Sequence, residues 1–272
     1  MILYASTKMD IANYIPWLNR RLEEGFFDRE ENPKVINRYL LDDIEELILY
    51  TRNPSKIYRN RDLFQKYNTR LITFVSLYDQ FYEPKIKDKE KVLECIRKCK
   101  KYFNNYLGYG PVFYTSTHDK EWHLAQFDFL CKSVGRFVKG IYISFDVNEP
   151  CQTNKKLNVY HLSEAEQKQI IDELKKIASA YNLEILHFKT EKEFDANELD
   201  IGTNNCCPNA CEYCPYISNK KAAIDKYKVF DEKNTLLYGI KSQNQKIVDV
   251  KTCEETEIEE KKYEQESLFD FL

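Results

Sequence analysis

Glycine and proline are scarce in this sequence, with 7 and 8 among 272 residues. That scarcity excludes a collagenous, low-complexity or loop-dominated chain. Charge of one sign is also lacking: 41 basic against 44 acidic residues leave a formal charge of −3. The balance predicts no strong affinity of the whole surface for nucleic acid or for anionic membranes, although a local basic groove could still form. No run of apolar residues approaches the roughly 18–20 needed to span a bilayer. The opening MILYASTKMD carries no basic n-region, which predicts no signal peptide, no membrane partner and a cytoplasmic protein.

What is present is a core-forming chain, 43% hydrophobic, with 20 Tyr and 16 Phe. Short apolar runs at 2–5, 47–51, 71–77, 112–116, 140–146 and 183–188 read as six buried parallel strands. Helical patterns lie between them. Asp88 is placed to cap a helix with Val92, Leu93, Ile96, Cys99, Phe103 and Leu107 on its inner side. A second pattern runs from Trp122 to Val134, and Ser163 with Glu166 forms a capping box for a third. Alternating strands and helices predict an α/β domain, either an open doubly wound sheet or a barrel. In both, chemistry belongs at the carboxyl ends of the strands. That rule collects Ser6, Thr7, Asp10, Thr51, Arg52, Asn53, Ser76, Asp79, Thr115, His118 and Asp146 near one rim. The organisation expected is a barrel domain over 1–220, an extension over 221–250, and a flexible acidic tail over 251–272.

Nine cysteines without an export signal disfavour a disulfide framework. Four of them, at 206, 207, 211 and 214, crowd into nine residues. Cys207, Cys211 and Cys214 leave three and then two residues between them. A loop of that length can hold one corner of an iron–sulfur cubane and leave its fourth iron open. A zinc knuckle is the competing reading, with Cys206 or His187 as the fourth ligand. Cys95 and Cys99, four apart on one helix, fit small buried side chains better than a metal pair, and Cys131 and Cys151 read as structural or free. His118 and Asp119 are candidates for acid–base work, weighed against a solvated loop.

The cysteine spacing, with Tyr213 just before the third thiol, resembles that of radical S-adenosylmethionine (radical-SAM) enzymes. The segment from Asp200 to Cys214 resembles the end of a bacterial family of unknown function that carries such a cluster at its C-terminus. Other marks of that family follow in order: Ala5 to Ile11, Trp17 with Asn19 to Leu22, Tyr50 to Pro54, Glu83-Pro84, His123-Leu124 and Ser144-Phe145. They cover 2–218. The chain departs from the family at Thr7-Lys8, at 114–119 and at Pro215. The strand-end marks at 6–10, 51–54 and 73–84 also resemble the radical-SAM DNA repair photolyases related to spore photoproduct lyase, with the cysteine loop last instead of first.

This likeness implies a circularly permuted, partial (βα)6 TIM-type barrel in which 183–188 is the first strand and 2–5 the second. It implies a 4Fe-4S cluster on Cys207, Cys211 and Cys214. S-adenosylmethionine would lie against Tyr213, Ser6, Asp10, Arg52 and Ser76, with a ferredoxin or flavodoxin as reductant and a nucleic-acid lesion as substrate. An Asp10–Arg52 rim salt bridge is the plainer reading of that pair. Gln265, Leu268 and Phe269 resemble the pentapeptide by which bacterial replication and repair proteins dock on the DNA sliding clamp. A terminal plug folding back on the barrel is weighed beside it. The rival function is a binding protein, stapled by a metal and recruited through this tail. A radical enzyme acting on a peptide or small metabolite is a third reading.

Overall fold

The structure of the protein, a computed structural model, describes residues 1–85, 87–145, 158–189, 193–237 and 245–257. Seven strands form one parallel sheet that curls into a half-barrel: β1 (Ile2–Ala5), β4 (Glu46–Thr51), β5 (Thr69–Phe74), β6 (Asn104–Tyr109), β7 (Ile141–Ile143), β8 (Ile185–Leu186) and β9 (Glu198–Asp200). Across the sheet they stand as β8-β7-β6-β5-β4-β1-β9. Six follow chain order, and the last, β9, returns to the far edge beside β1, pairing Ile2 with Glu198 and Tyr4 with Asp200. A second sheet joins the hairpin β2 (Phe26–Asn32) and β3 (Val35–Leu40) to β10 (Lys246–Asp249) and β11 (Glu255–Glu257).

Strand periodicity divides the core by face. Leu3, Ala5, Leu47, Leu49 and Leu71 point to the helix side. Tyr4, Ile48, Tyr50, Ile72 and Tyr142 point into the concave side, where Phe74, Tyr106, Phe188 and Phe194 join them. The two-residue alternation of a strand therefore places aliphatic residues under the helices and aromatic ones inside the curl.

The helices are α1 (Ile15–Glu24), α2 (Pro54–Arg59), α3 (Arg61–Phe64), α4 (Lys89–Cys99), α5 (Lys120–Val134), α6 (Glu164–Ala180) and α7 (Lys220–Lys228). Their starts follow capping chemistry. Asp88 accepts from the Lys91 amide, Asp119 from that of Trp122, and Ser163 with Glu166 closes the expected capping box. Helix α1 ends at Gly25, whose φ of 77° lies in the left-handed region that glycine tolerates best.

Several expectations need correction. The run 112–116 forms no strand; the fourth strand of the sheet is β6, which overlaps the end of the helix expected to run through Leu107. Asn105 hides it, because a buried polar residue breaks an apolar run. Its side-chain amide donates to the carbonyls of Ile96 and Phe137, at the ends of two neighbouring helical segments. Gly108 hides it further: a Cβ there would stand 2.6 Å from the Phe74 ring. Val112 and Phe113 are buried instead in the following loop, which Tyr78 holds through the carbonyls of Pro111 and Phe113. The segment 183–188 is not the strand before the cysteine loop. That place belongs to β9, and β8 lies at the opposite edge. Within the expected extension over 221–250, Ala223 and Leu237 share a core with Cys206 and Cys207. Within the expected tail, Glu255–Glu257 is a strand paired with β10.

Candidate functional site

A cleft with about 800 Å³ of empty space, mouth included, opens at the carboxyl ends of the parallel strands. Every strand of the half-barrel contributes to its wall at or just past its end: Asp10 after β1, Tyr50 to Arg52 from β4, Phe74 from β5, Gly110 after β6, Ser144 after β7, Phe188 after β8, and Cys207, Cys211 and Cys214 after β9. Of the rim expected from topology, Thr7, Asp10, Thr51 and Arg52 line this cleft, and all three spaced cysteines line it too.

The cysteine loop is held at its base. Asp200 accepts from the Gly202 amide at 2.7 Å and the Thr7 amide at 2.9 Å, tying β9 to the end of β1. The Thr7 hydroxyl bonds the same carboxylate. Gly202 has no alternative here, because a Cβ would lie 1.9 Å from Ser6 Oγ. Asn205 closes the loop on itself: its amide donates to the Tyr216 carbonyl at 2.8 Å and its side chain accepts from Ser218 and Asn219. Ala210 adopts a φ of 52°, a conformation that costs a residue with a Cβ about 1 kcal/mol or more. It stands next to Cys211 in the cysteine loop.

Asp10 ties the loop to β4. Its carboxylate accepts from the Ala12 amide (3.1 Å), the Thr51 hydroxyl (2.7 Å), the Arg52 amide (3.1 Å) and the Asn209 side chain (3.1 Å). Its own amide points at Cys207 Sγ, 3.5 Å away. The plain salt bridge expected between Asp10 and Arg52 does not form. The Arg52 guanidinium turns instead to Glu83 Oε1, at 3.0 Å, and to the Gly110 carbonyl, at 3.2 Å. Glu83, 2% exposed, also receives the Tyr213 hydroxyl at 2.5 Å. Sequence reasoning noted Glu83 only as a family mark. Its burial beside the site could not be read from a loop residue before a proline.

Burial pushes all three thiols up. Cys214 rises to about 12, with Cys211 adding to the effect of desolvation. Cys207 rises further through burial and the Asp10 charge. Cys211 rises less, because the Arg52 guanidinium opposes its desolvation. Thiols in such a pocket stay protonated until a cation displaces their protons, which is how metal and cluster sites are loaded.

The remaining expected site residues divide. Arg52, Asp10 and Tyr213 line the cleft; Ser6 and Ser76 are buried outside its lining. Ser6 Oγ accepts from the Lys8 amide at 3.0 Å. The proposed fourth zinc ligands do not reach the cleft. The Cys206 thiol donates to the Thr203 carbonyl at 2.6 Å, and His187 is exposed and paired with Glu193. No other Cys or His lines the cleft, and among the described residues no three His, Cys, Asp or Glu side chains sit close enough to hold a single metal ion. Three cysteine sulfurs facing one cleft are the donor type that iron–sulfur clusters take, and thiolates also serve zinc.

His118 accepts from or donates to Thr115 and Thr117 on an exposed loop, and Asp119 serves as the cap of α5. Cys95 and Cys99 lie buried with sulfurs 4.0 Å apart, and Cys131 is buried in the core. Asp146, Cys151, Gln265, Leu268 and Phe269 fall outside the described residues. No described helix is long and apolar enough to cross a membrane.

A family model described as a domain of unknown function, DUF1848, matches residues 2–198. The match spans most of the chain, and the protein belongs to that family. It ends within β9, so the cysteine loop lies beyond the matched span, short of the 2–218 expected from individual marks. A search of curated proteins finds no match.

Proposed function

We propose that the protein is an iron–sulfur enzyme of the radical-SAM class, built on a circularly permuted half-barrel. One observation carries the reading: three cysteines from the loop after β9 line one cleft at the carboxyl ends of seven parallel strands. The strand order supports the permutation. Started at β9, the chain would pass through β9, β1, β4, β5, β6, β7 and β8 as consecutive neighbours, with the cysteine loop following the first strand.

On this reading Cys207, Cys211 and Cys214 hold a 4Fe-4S cluster. When bound, the cluster supplies an electron and an open iron for cleaving S-adenosylmethionine to a 5′-deoxyadenosyl radical. The protein's own share is positioning and exclusion of water. Arg52 places a half-buried positive charge beside Cys211 and offsets thiolate charge there. Asp10 fixes the loop through Asn209 and the β4 end through Thr51. Tyr50, Phe74 and Phe188 give the cleft an apolar wall, which shields a reactive species from solvent. Ser6 and Ser76, expected against S-adenosylmethionine, are buried outside the cleft lining, and Ser6 packs against Gly202 at the base of the cysteine loop. The peptide from Gln265 to Phe269 is proposed as a tether to the sliding clamp, with a nucleic-acid lesion as substrate and a ferredoxin or flavodoxin as electron donor.

The test is anaerobic. The protein is reconstituted with iron and sulfide, reduced, given S-adenosylmethionine and assayed for 5′-deoxyadenosine. Product that vanishes in Cys214→Ser supports the reading; product that persists in Cys211→Ala contradicts it. A non-catalytic staple is the second reading, favoured by the packing of Cys206 and Cys207 into the helix-side core. A loaded cluster that lowers Tm on removal but yields no product, with lesion DNA or without, would point there.

A further inference from the structure

The loop after β5 holds a buried carboxylate that the proposed chemistry does not use. Asp79 makes a tight turn, accepting at its carbonyl from the amides of Tyr82 and Glu83 and at its side chain from Phe81. The turn delivers Glu83 into the interior. Its Oε1 receives the Tyr213 hydroxyl at 2.5 Å and Arg52 Nη1 at 3.0 Å. Its Oε2 is buried and, among the described residues, has no hydrogen-bond partner. A second bond runs alongside: the Glu212 amide donates to the Tyr82 carbonyl at 2.9 Å. The β5 loop therefore grips the cysteine loop at two successive residues, both between Cys211 and Cys214.

Charge follows the same geometry. Asp10 is satisfied by neutral donors alone, so Arg52 is left to Glu83. Arg52 also lies over the rings of Tyr213 and Phe74, 5.8 Å from each centroid. The Tyr213 ring is packed at 5.6 Å from Phe113 and 5.9 Å from Tyr78. One acid thus fixes both the ring that precedes the third cysteine and the cation that faces the second.

We propose that Glu83 is a positioning residue of the cysteine loop, which orients it through Tyr213 and sets the net charge beside Cys211 by neutralising Arg52. The electrostatic half rests on the cluster reading above; the positional half does not.

Two variants and two readouts separate these. In Glu83→Ala, Tyr213 and Arg52 lose their acceptor, and amide exchange across 206–217 should quicken by roughly tenfold or more while α4 is unchanged. Glu83→Gln keeps an acceptor for Tyr213 but removes the charge. Its loop should stay protected, and the midpoint potential of its reconstituted cluster should shift positive, because an uncompensated Arg52 favours the more negative reduced state. Iron and sulfide content is measured first. If the wild-type chain holds no cluster, the reading above fails and the exchange result alone decides the role of Glu83. Unchanged exchange in Glu83→Ala overturns the positional claim. An unchanged potential in a fully loaded Glu83→Gln protein reduces Glu83 to a structural contact and overturns the electrostatic one.

Discussion

Tyr213 and Glu83 lie 130 residues apart in sequence and meet in a buried hydrogen bond of 2.5 Å. The bond joins the cysteine loop, at the end of the chain's parallel fold, to the loop that follows its central strand. Replacing Tyr213 by Phe keeps the ring among Tyr78, Phe113 and Arg52 but strips one donor from a carboxylate with an already unpaired oxygen. Arg52 still holds the same oxygen, so the loss is that of one hydrogen bond to a charged group, about 1.5–3 kcal/mol. Urea unfolding of Tyr213→Phe should show a loss in that range at unchanged m-value; no loss would mean that the bond is not formed in solution.

Asp10 should behave as a structural residue before it behaves as a ligand. Four donors converge on its carboxylate, and it caps the short helical turn Ile11–Asn13. Asp10→Ala orphans the Thr51 hydroxyl and the Arg52 amide and removes the cap. Capping alone is worth about 0.5–2 kcal/mol, and each orphaned buried donor adds to it. The melting temperature of the metal-free variant should therefore fall, by several degrees or more. A metal-free Asp10→Ala protein as stable as wild type would assign this residue to ligand binding alone.

His123 predicts an acid limb of stability. The ring is fully buried, with Nε2 donating to the Phe113 carbonyl at 2.9 Å and Nδ1 3.0 Å from the Tyr109 hydroxyl. Burial lowers its pKa to about 4, well below the 6.5 of a free imidazole. The folded state thus binds fewer protons than the unfolded state between these values. The contribution is whole above pH 6.5 and is lost as pH falls towards 4, to a total on the order of 3 kcal/mol. Urea midpoints measured between pH 7 and 4.5 should fall less steeply in His123→Gln than in wild type. Parallel curves would show that His123 is not held neutral by the fold.

Much of the scaffold was legible in the sequence. The runs at 2–5 and 47–51 are apolar on both faces and became β1 and β4 nearly to the residue. The caps Asp88 and Ser163 act locally, so local reading found them. What failed depends on partners distant in sequence. β6 was masked by Asn105 and Gly108, whose identities answer to Ile96, Phe137 and Phe74. β9 is only three residues long and earns its strand character from pairing with β1. The hairpin β2–β3 is rich in charge and completes a sheet with a segment more than 200 residues later. At the site, spacing singled out Cys207, Cys211 and Cys214, which line one cleft. It could not reveal that Arg52 would choose Glu83 over Asp10, because that choice is made by the β5 loop.

The central claim is that three thiols lining one cleft hold a cluster with one open iron. Iron and acid-labile sulfide measured after anaerobic reconstitution test it most directly, in wild type and in Cys207→Ser, Cys211→Ser and Cys214→Ser. The account predicts about four irons and about four sulfides per chain, lost in each single variant and retained in Cys206→Ser. About one zinc per chain without sulfide, or a cluster that survives any of the three replacements, would contradict it.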